Sequence, residues 1–372
     1  MTEHGLQTIH QRESALLAPY AMFSLSSAGR QHSEPEHAYR SPFQRDRDRI
    51  VHSAAYRRLS GKMQVFTGDM GDYHRTRLTH TQEVASIART MGRALRLNED
   101  LVEALALFHD IGHPPFGHAG EDALAECLAD DGGFSHNQYA LTIAEQLETR
   151  HQSFPGLNLT KETLEGQATR IDKAAGNHHP LLEAQVVEAA DSMTYDAHDV
   201  DDALKLGLVT LEEVHDQEMI KICVAIIADR RSDLGPAEYK RALIHTMVDC
   251  QVSNVLENAG PFLQTVGWQS TEDVRNSDYR IATVGELADA KKEMEAFLYE
   301  RVYRHPELVK TRERAQAQIH KLFETFMNNP KAMPERFLSR IEHVGLHRSV
   351  GDYIAGMTDR FFEQQYLGFV GS

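Results

Sequence analysis

Apolar residues recur along this chain at the spacing of a helix and almost nowhere at the spacing of a strand. Val84, Ile87, Ala88, Met91 and Leu95 fall on one stripe, and Leu101, Val102, Leu105 and Phe108 on another. Glycine and proline fall between such segments and punctuate them. Further amphipathic helices are expected over 236–258, with Pro236 at the first position, and over 285–304, 306–328 and 333–345. Ser135 and Gln138 have the spacing of a capping box that opens another helix. Residues 155–159 read as a loop. The pattern predicts an all-α fold with no internal repeat. We expect a partly ordered N-terminal arm over 1–40, a core over 41–210, and a C-terminal helical region over 211–372 packed on that core.

Charge narrows the classes of function. Lys plus Arg number 39 and Asp plus Glu 55, a formal charge of 39 − 55 = −16. That disfavours a surface devoted to nucleic acid and leaves room for a local basic pocket. Cys127, Cys223 and Cys250 have no paired spacing, so a reduced compartment without a disulfide framework is expected. No run of 18 apolar residues occurs, and none of the patterns of a secretory leader stands at the start. A cytoplasmic protein that does not cross a membrane is the expectation.

Chemistry concentrates in the histidines, of which there are 21. The densest run is His109-Asp110-Ile111-Gly112-His113-Pro114-Pro115-Phe116-Gly117-His118-Ala119-Gly120-Glu121. Adjacent His109 and Asp110 offer a nitrogen and an oxygen ligand from one turn, a donor set suited to Mn²⁺, Fe²⁺, Zn²⁺ or Mg²⁺. His109 lies four residues after Leu105 and seven after Val102, on an apolar helix face. His80 precedes Val84, Ile87 and Met91 on a second such face, and Asp191 follows Val187 on a third. A single inward histidine is ordinarily a hydrogen-bonded core residue. Three inward polar groups, one of them a carboxylate that is costly to bury unpaired, point instead to a divalent cation.

Two other patterns flank this set. Asp191, Tyr195 and Asp199 share one helix face at i, i+4 and i+8. The competing reading is a solvated acidic face, since Asp196, Asp201 and Asp202 stand nearby; His198 is read as structural. A basic segment contributes Arg45, Arg47, Arg49, Arg57, Arg58, Arg75 and Arg77, which could offset polyphosphate charge. For Arg45, Arg47 and Arg49 the alternative is ion pairing with Asp46 and Asp48.

Taken in order, these residues resemble a known family. The stretch Ser41-Pro42-Phe43-Gln44-Arg45-Asp46-Arg47-Asp48-Arg49-Ile50 is followed by Tyr56-Arg57-Arg58-Leu59, Gln64-Val65-Phe66 and Arg75-Thr76-Arg77-Leu78-Thr79-His80. Then come the run from His109, Gly156-Leu157-Asn158-Leu159-Thr160, Thr163-Leu164-Glu165-Gly166, Leu182-Glu183-Ala184-Gln185, Asp191, and the stretch 195–202. The chain thus resembles the bacterial deoxyguanosinetriphosphate triphosphohydrolases and their dNTPase-like relatives in the HD superfamily, over about 40–210. It departs from the family pattern after Gly166, where residues 167–179 replace a hydrophobic-Lys-His stretch, and at Ser192-Met193.

The resemblance implies an HD-domain phosphohydrolase fold with additional C-terminal helices. It implies His80, His109, Asp110 and Asp191 as ligands of one divalent ion per subunit, Mn²⁺ or Mg²⁺, with Zn²⁺, Fe²⁺ or Ni²⁺ as other fits. It further implies His118 as the catalytic histidine, Glu121 as its orienting carboxylate and His136 as a second histidine near the phosphates. Arg77 and His113 resemble phosphate contacts; Gln64, Tyr195 and Asp199 resemble the residues that enclose the deoxyribose. The implied activity is hydrolysis of dGTP or other dNTPs to deoxynucleoside and inorganic triphosphate. A dNTP effector or single-stranded DNA is the implied further partner, and a homo-oligomer (dimer of dimers, tetramer or hexamer) the implied assembly. Two alternatives remain open: an HD phosphodiesterase or 5′-nucleotidase, and a nucleotide- or single-stranded-DNA-binding HD protein with regulated activity.

Overall fold

A computed structural model of the chain describes residues 7–64, 75–149, 152–171, 179–230 and 234–371. Val65 and Phe66 of the motif that starts at Gln64, and 172–178 of the departing stretch, lie outside the described residues. The described residues form an all-α protein. Among them the only β pairings are two isolated bridges, Arg30 with Thr160 and Met63 with Thr76.

The chain divides into two compact units, each assembled from three segments. One comprises Met1–Ser26, Glu83–Ala106 and Asn177–Val309. Its long helices include Leu182–Lys205, Glu218–Arg230, Pro236–Thr265 and Glu286–Leu298. The Leu182–Lys205 helix buries Val186, Val187, Ala190, Met193, Ala197 and Val200. Buried Glu183 on that helix accepts from the backbone N–H groups of Met22 (2.8 Å) and Asn98 (3.1 Å), tying three segments together. Burial pushes the Glu183 carboxyl up despite those two bonds.

The other unit comprises Ser27–Gln82, Leu107–Gly176 and Lys310–Ser372. Ser41 caps the Pro42–Val51 helix in a full capping box with Gln44. Buried Asp46 on that helix accepts from the Thr160 backbone N–H (2.9 Å) and the Thr163 hydroxyl (2.8 Å), and pairs with Arg30 (2.5 Å). Arg47 pairs with Asp48 (2.9 Å), as the ion-pair alternative anticipates, whereas Arg45 (3.4 Å) and Arg49 (2.6 Å) pair with Glu34.

Four local expectations need correction. The His136–Thr142 helix begins where expected, but Ser135 makes no side-chain cap. The Glu121 carboxylate takes that role, accepting the His136 backbone N–H at 2.8 Å. A charged acceptor from a neighbouring helix satisfies the first-turn donor better than the local hydroxyl. The expected helix over 333–345 is instead two short helices, Glu335–Leu338 and Ile341–Val344. Arg340 sits at the break, and its guanidinium bonds the buried Asp352 carboxylate (3.0 Å). The helix expected over 285–304 is α-helical over Glu286–Leu298 and continues as a π-helical turn over Tyr299–Tyr303. The Pro236–Thr265 helix opens on Pro236 as expected and outruns the expected end at 258.

Candidate active site

His109 and Asp110 follow directly on the Glu99–Phe108 helix. Tight turns close there, from Ile111 N to Phe108 O (3.3 Å) and His113 N to Asp110 O (3.2 Å). Pro114 and Pro115 cannot extend the helix, having no N–H to donate. His80 lies in the first turn of the Arg77–Ala94 helix, within the 77–82 portion that belongs to this unit. His80, His109 and Asp110 are all buried, and each offers one ligand atom within 4.8 Å of the others. The His80 and His109 rings meet at 5.7 Å. Two imidazoles and a carboxylate gathered out of water form a donor set that fits a divalent cation.

Arg77 supports this set from beneath. It is among the largest fully buried side chains, and its Nη1 donates to Asp110 Oδ2 at 2.8 Å. Nη2 donates to the Gln64 carbonyl at 3.1 Å. Gly117 makes room for that guanidinium: a Cβ there would lie 2.8 Å from Nη2, and φ is +58°. Burial alone would raise Asp110, yet His113, Arg77 and His109 hold it well below the ordinary carboxylate range. Burial, followed by the Arg77 cation, pushes His113 well below the usual imidazole value. The permanent charge beside Asp110 is the Arg77 guanidinium.

His113 joins this set to a second one. Its Nδ1 lies 2.9 Å from Asp110 Oδ1, within charge-pair distance but without hydrogen-bond alignment. Its other side stacks on His136, with ring centroids 3.7 Å apart. Glu121, one turn after His118 on the Gly117–Cys127 helix, bridges two histidines. His118 Nδ1 is 3.1 Å from Oε2, and His136 Nδ1 is 2.8 and 2.9 Å from the two oxygens. Burial opposes Glu121's charge, but the hydrogen bonds from His118 and His136 outweigh it and hold the carboxyl far below its ordinary value. An ionised carboxylate only accepts, so both Nδ1 atoms carry protons and both Nε2 atoms are left for other work. The His118 side chain is 56% exposed and so within reach of a substrate.

Gln64 is buried, and its side-chain Oε1 has no hydrogen-bond partner among the described residues. A buried acceptor of this kind is able to take a hydrogen bond from a ligand. Asp191, Tyr195 and Asp199 lie on the Leu182–Lys205 helix of the other unit. Tyr195 stacks on Tyr303 at 6.3 Å. The alternative of a solvated acidic face fails there, because Asp196, Asp199 and Asp202 are buried. Asp196 pairs with Lys291, and burial pushes it up to about 6. His198 pairs with Glu83, in keeping with a structural role.

Sequence reasoning passes over two supports of the site. Lys62, fully buried, donates to the carbonyls of His113 and Ala355 (the latter at 3.0 Å). Its place two residues before Gln64 is the only hint of this. Asp359 accepts the backbone N–H groups of Met63 (2.9 Å) and Phe116 (3.0 Å), fixing both ends of the site's floor. Nothing local in the sequence marks Asp359.

Comparison with known proteins agrees with this arrangement. The HD domain matches residues 77–202, and a phosphohydrolase-associated domain matches 281–367, a region in which the sequence reading found no motif. The site and fold thus define an HD-domain phosphohydrolase. A deoxyguanosinetriphosphate triphosphohydrolase-like protein of Leptospira interrogans serogroup Icterohaemorrhagiae serovar copenhageni (strain Fiocruz L1-130) is 39% identical, over 96% of this chain and 97% of its own length. Proteins of the same description from Jannaschia sp. (strain CCS1) and Nitrosomonas europaea are 41% and 38% identical, covering 95% and 94% of this chain and 95% and 96% of their own lengths. The chain belongs to the deoxyguanosinetriphosphate triphosphohydrolase-like family. No helix of the described residues is long and apolar enough to cross a membrane.

Proposed function

We propose that this protein is a metal-dependent dNTP triphosphohydrolase, converting dGTP or another dNTP to deoxynucleoside and inorganic triphosphate. The observation that carries the reading is the junction at His113, which touches Asp110 of the metal-ligand set and stacks on His136 of the Glu121-bridged set. Chemistry at one phosphorus needs both a cation site and a proton carrier within one small volume.

His80, His109 and Asp110, with Asp191 as fourth ligand, would hold a divalent ion, which would supply Lewis-acid polarisation of the α-phosphate. Mn²⁺ and Mg²⁺ are the ions we expect in it. Water adds to the α-phosphorus, the bond from phosphorus to the 5′-oxygen breaks, and that oxygen takes a proton to leave as the deoxynucleoside. His118, with Nδ1–H held by Glu121, presents Nε2 to give that proton or to accept the one from water. His136 and His113 face the polyphosphate, Arg77 keeps Asp110 ionised and close to it, and Gln64, Tyr195 and Asp199 enclose the sugar. The reading carries with it a cytoplasmic homo-oligomer whose catalytic residues come from 41–210.

The test is to incubate each of the four dNTPs, singly and mixed, with Mn²⁺ or Mg²⁺ and separate the products by chromatography. Deoxynucleoside and triphosphate in equal amounts are expected. Orthophosphate with a nucleotide product points to a phosphodiesterase or nucleotidase, and saturable binding without product to a nucleotide-binding protein; either overturns the reading.

A further inference from the structure

Two of the chain's three cysteines, Cys223 and Cys250, meet in the unit that carries the Leu182–Lys205 helix, and neither has a part in the proposed site. Cys223 stands on the Glu218–Arg230 helix and Cys250 on the Pro236–Thr265 helix, and these two helices pack together. In the sequence they are 27 residues apart, and the helix pair brings their Sγ atoms to 3.9 Å. Neighbouring contacts hold that register. Arg230 pairs with Asp249, directly before Cys250, at 3.0 Å. The Tyr239 hydroxyl of the second helix meets His215 Nε2, shortly before the first helix, at 2.9 Å.

The two sulfurs are not equivalent. Cys223 is fully buried and Cys250 half-buried. The Cys250 S–H donates to the Met247 carbonyl at 3.4 Å, so the S–H between the two sulfurs is that of Cys223, donating to Cys250 Sγ. That donor lowers the Cys250 thiol against the effect of burial. The Cys250 sulfur, then burial, push the Cys223 thiol up. Thiolate character and access thus coincide on Cys250, with a second thiol in contact to resolve it. Cys127 has a different setting, where burial pushes its thiol up to about 11.

We propose that Cys223 and Cys250 form a reversible dithiol site oxidised by hydrogen peroxide, with Cys250 the attacking sulfur and Cys223 the resolving one. The Cys250 thiolate attacks one peroxide oxygen; the S–O bond forms, the O–O bond breaks, and hydroxide leaves a sulfenic acid behind. Cys223 Sγ then attacks Cys250 Sγ and gives up its proton; the S–S bond forms, the S–O bond breaks, and the departing hydroxide takes that proton as water. Two electrons pass from the sulfur pair to peroxide, and a dithiol reductant restores them. From 3.9 Å the sulfurs need about 1.9 Å of approach to reach a bond of ~2.05 Å, within the swing of one thiol about its Cα–Cβ bond. The disulfide ties the Glu218–Arg230 helix to the Pro236–Thr265 helix, which in turn packs against the Leu182–Lys205 helix. The inference stands whether or not the dNTP reading does.

The test treats the full chain, reduced and freed of reductant, with hydrogen peroxide in the presence of a chelator. Catalase ends the reaction, and thiols are counted after denaturation in urea. Three thiols before and one after are expected, from the three cysteines present. Peptide mass spectrometry should place the cross-link between Cys223 and Cys250 of one chain, with Cys127 still a thiol, and dithiothreitol should restore all three. Cys223→Ser should stop at the sulfenic acid and take up dimedone at Cys250, whereas Cys250→Ser should keep both of its thiols. The count on the parent needs no variant, so it decides the matter even if a serine variant fails to fold by circular dichroism. Three thiols surviving peroxide, a cross-link through Cys127 or between chains, dimedone on Cys223 in Cys250→Ser, or oxidation that dithiothreitol does not reverse overturns the proposal.

Discussion

Replacing Glu121 by glutamine changes one oxygen to NH₂ and removes one charge, with almost no change in shape. The carboxylate accepts from His136 N (2.8 Å), His136 Nδ1 (2.8 and 2.9 Å) and His118 Nδ1 (3.1 Å). An amide has one acceptor oxygen. That oxygen can keep both His136 donors, which already share Oε1. His118 Nδ1 then faces an NH₂ group, and two donors cannot bond. One charge-assisted hydrogen bond is lost, worth about 1.5–3 kcal/mol. Because the His118 side chain is 56% exposed, water recovers part of this, and the low end of that range is expected.

The consequence for turnover is larger than for stability. Without its acceptor, His118 is free to rotate and to hold its proton on either nitrogen. The kcat of Glu121→Gln is expected to fall about 10²-fold, the lower end of what a positioned acid or base contributes. Metal content by elemental analysis is expected to stay at the parent level, since His80, His109 and Asp110 are untouched. The pH dependence has a definite sign. Glu121's folded pKa is depressed, so its stabilisation is fully present above the unfolded value near ~4.3 and is lost as pH falls below it towards the folded value. Urea unfolding is therefore expected to separate parent and variant by a constant amount near pH 7, and the gap to narrow below about pH 4.3. Parental kcat in the variant, or a gap that widens in acid, would refute the bridging argument.

Four further outcomes are expected. Arg77→Met strands a buried Asp110 charge and should destabilise the metal-free protein by about 3–5 kcal/mol in urea unfolding; a loss under about 1 kcal/mol means Asp110 does not depend on Arg77. Gly112→Ala puts a Cβ 2.0 Å from His136 O, so the helix behind must retreat 3.4 − 2.0 = 1.4 Å to reach ordinary contact. Its unfolding free energy should drop by about 1–3 kcal/mol, and its turnover should fall with it; a fully stable, fully active variant contradicts the packing. Lys62→Met leaves the His113 and Ala355 carbonyls without their donor and should cost about 1–3 kcal/mol, with unchanged stability as the contrary result. Asp191→Ala should lose its metal on elemental analysis; full occupancy removes Asp191 from the ligand set.

What could be read from the sequence follows the range of the forces involved. Apolar stripes are local, so the all-α fold and the 306–328 helix are legible to the residue. The inward position of His80 and His109 is legible for the same reason, from neighbours three and four residues away. Glu121's hold on His118 is one helical turn long and half legible; its hold on His136 spans 15 residues and is not. That longer contact is also what displaced the expected Ser135 cap, because a carboxylate from another segment outbids a local hydroxyl for the same N–H. Arg77 presents the same problem more sharply. In the sequence it is one arginine of seven in a basic stretch, read as a phosphate contact, and only the fold sets its guanidinium on Asp110, 33 residues away. Two of its nitrogens donate to Asp110 and to the Gln64 carbonyl, and its buried Nε is left without a hydrogen-bond partner among the described residues. Arginine count locates polyphosphate chemistry poorly; the partner each guanidinium has already taken locates it better.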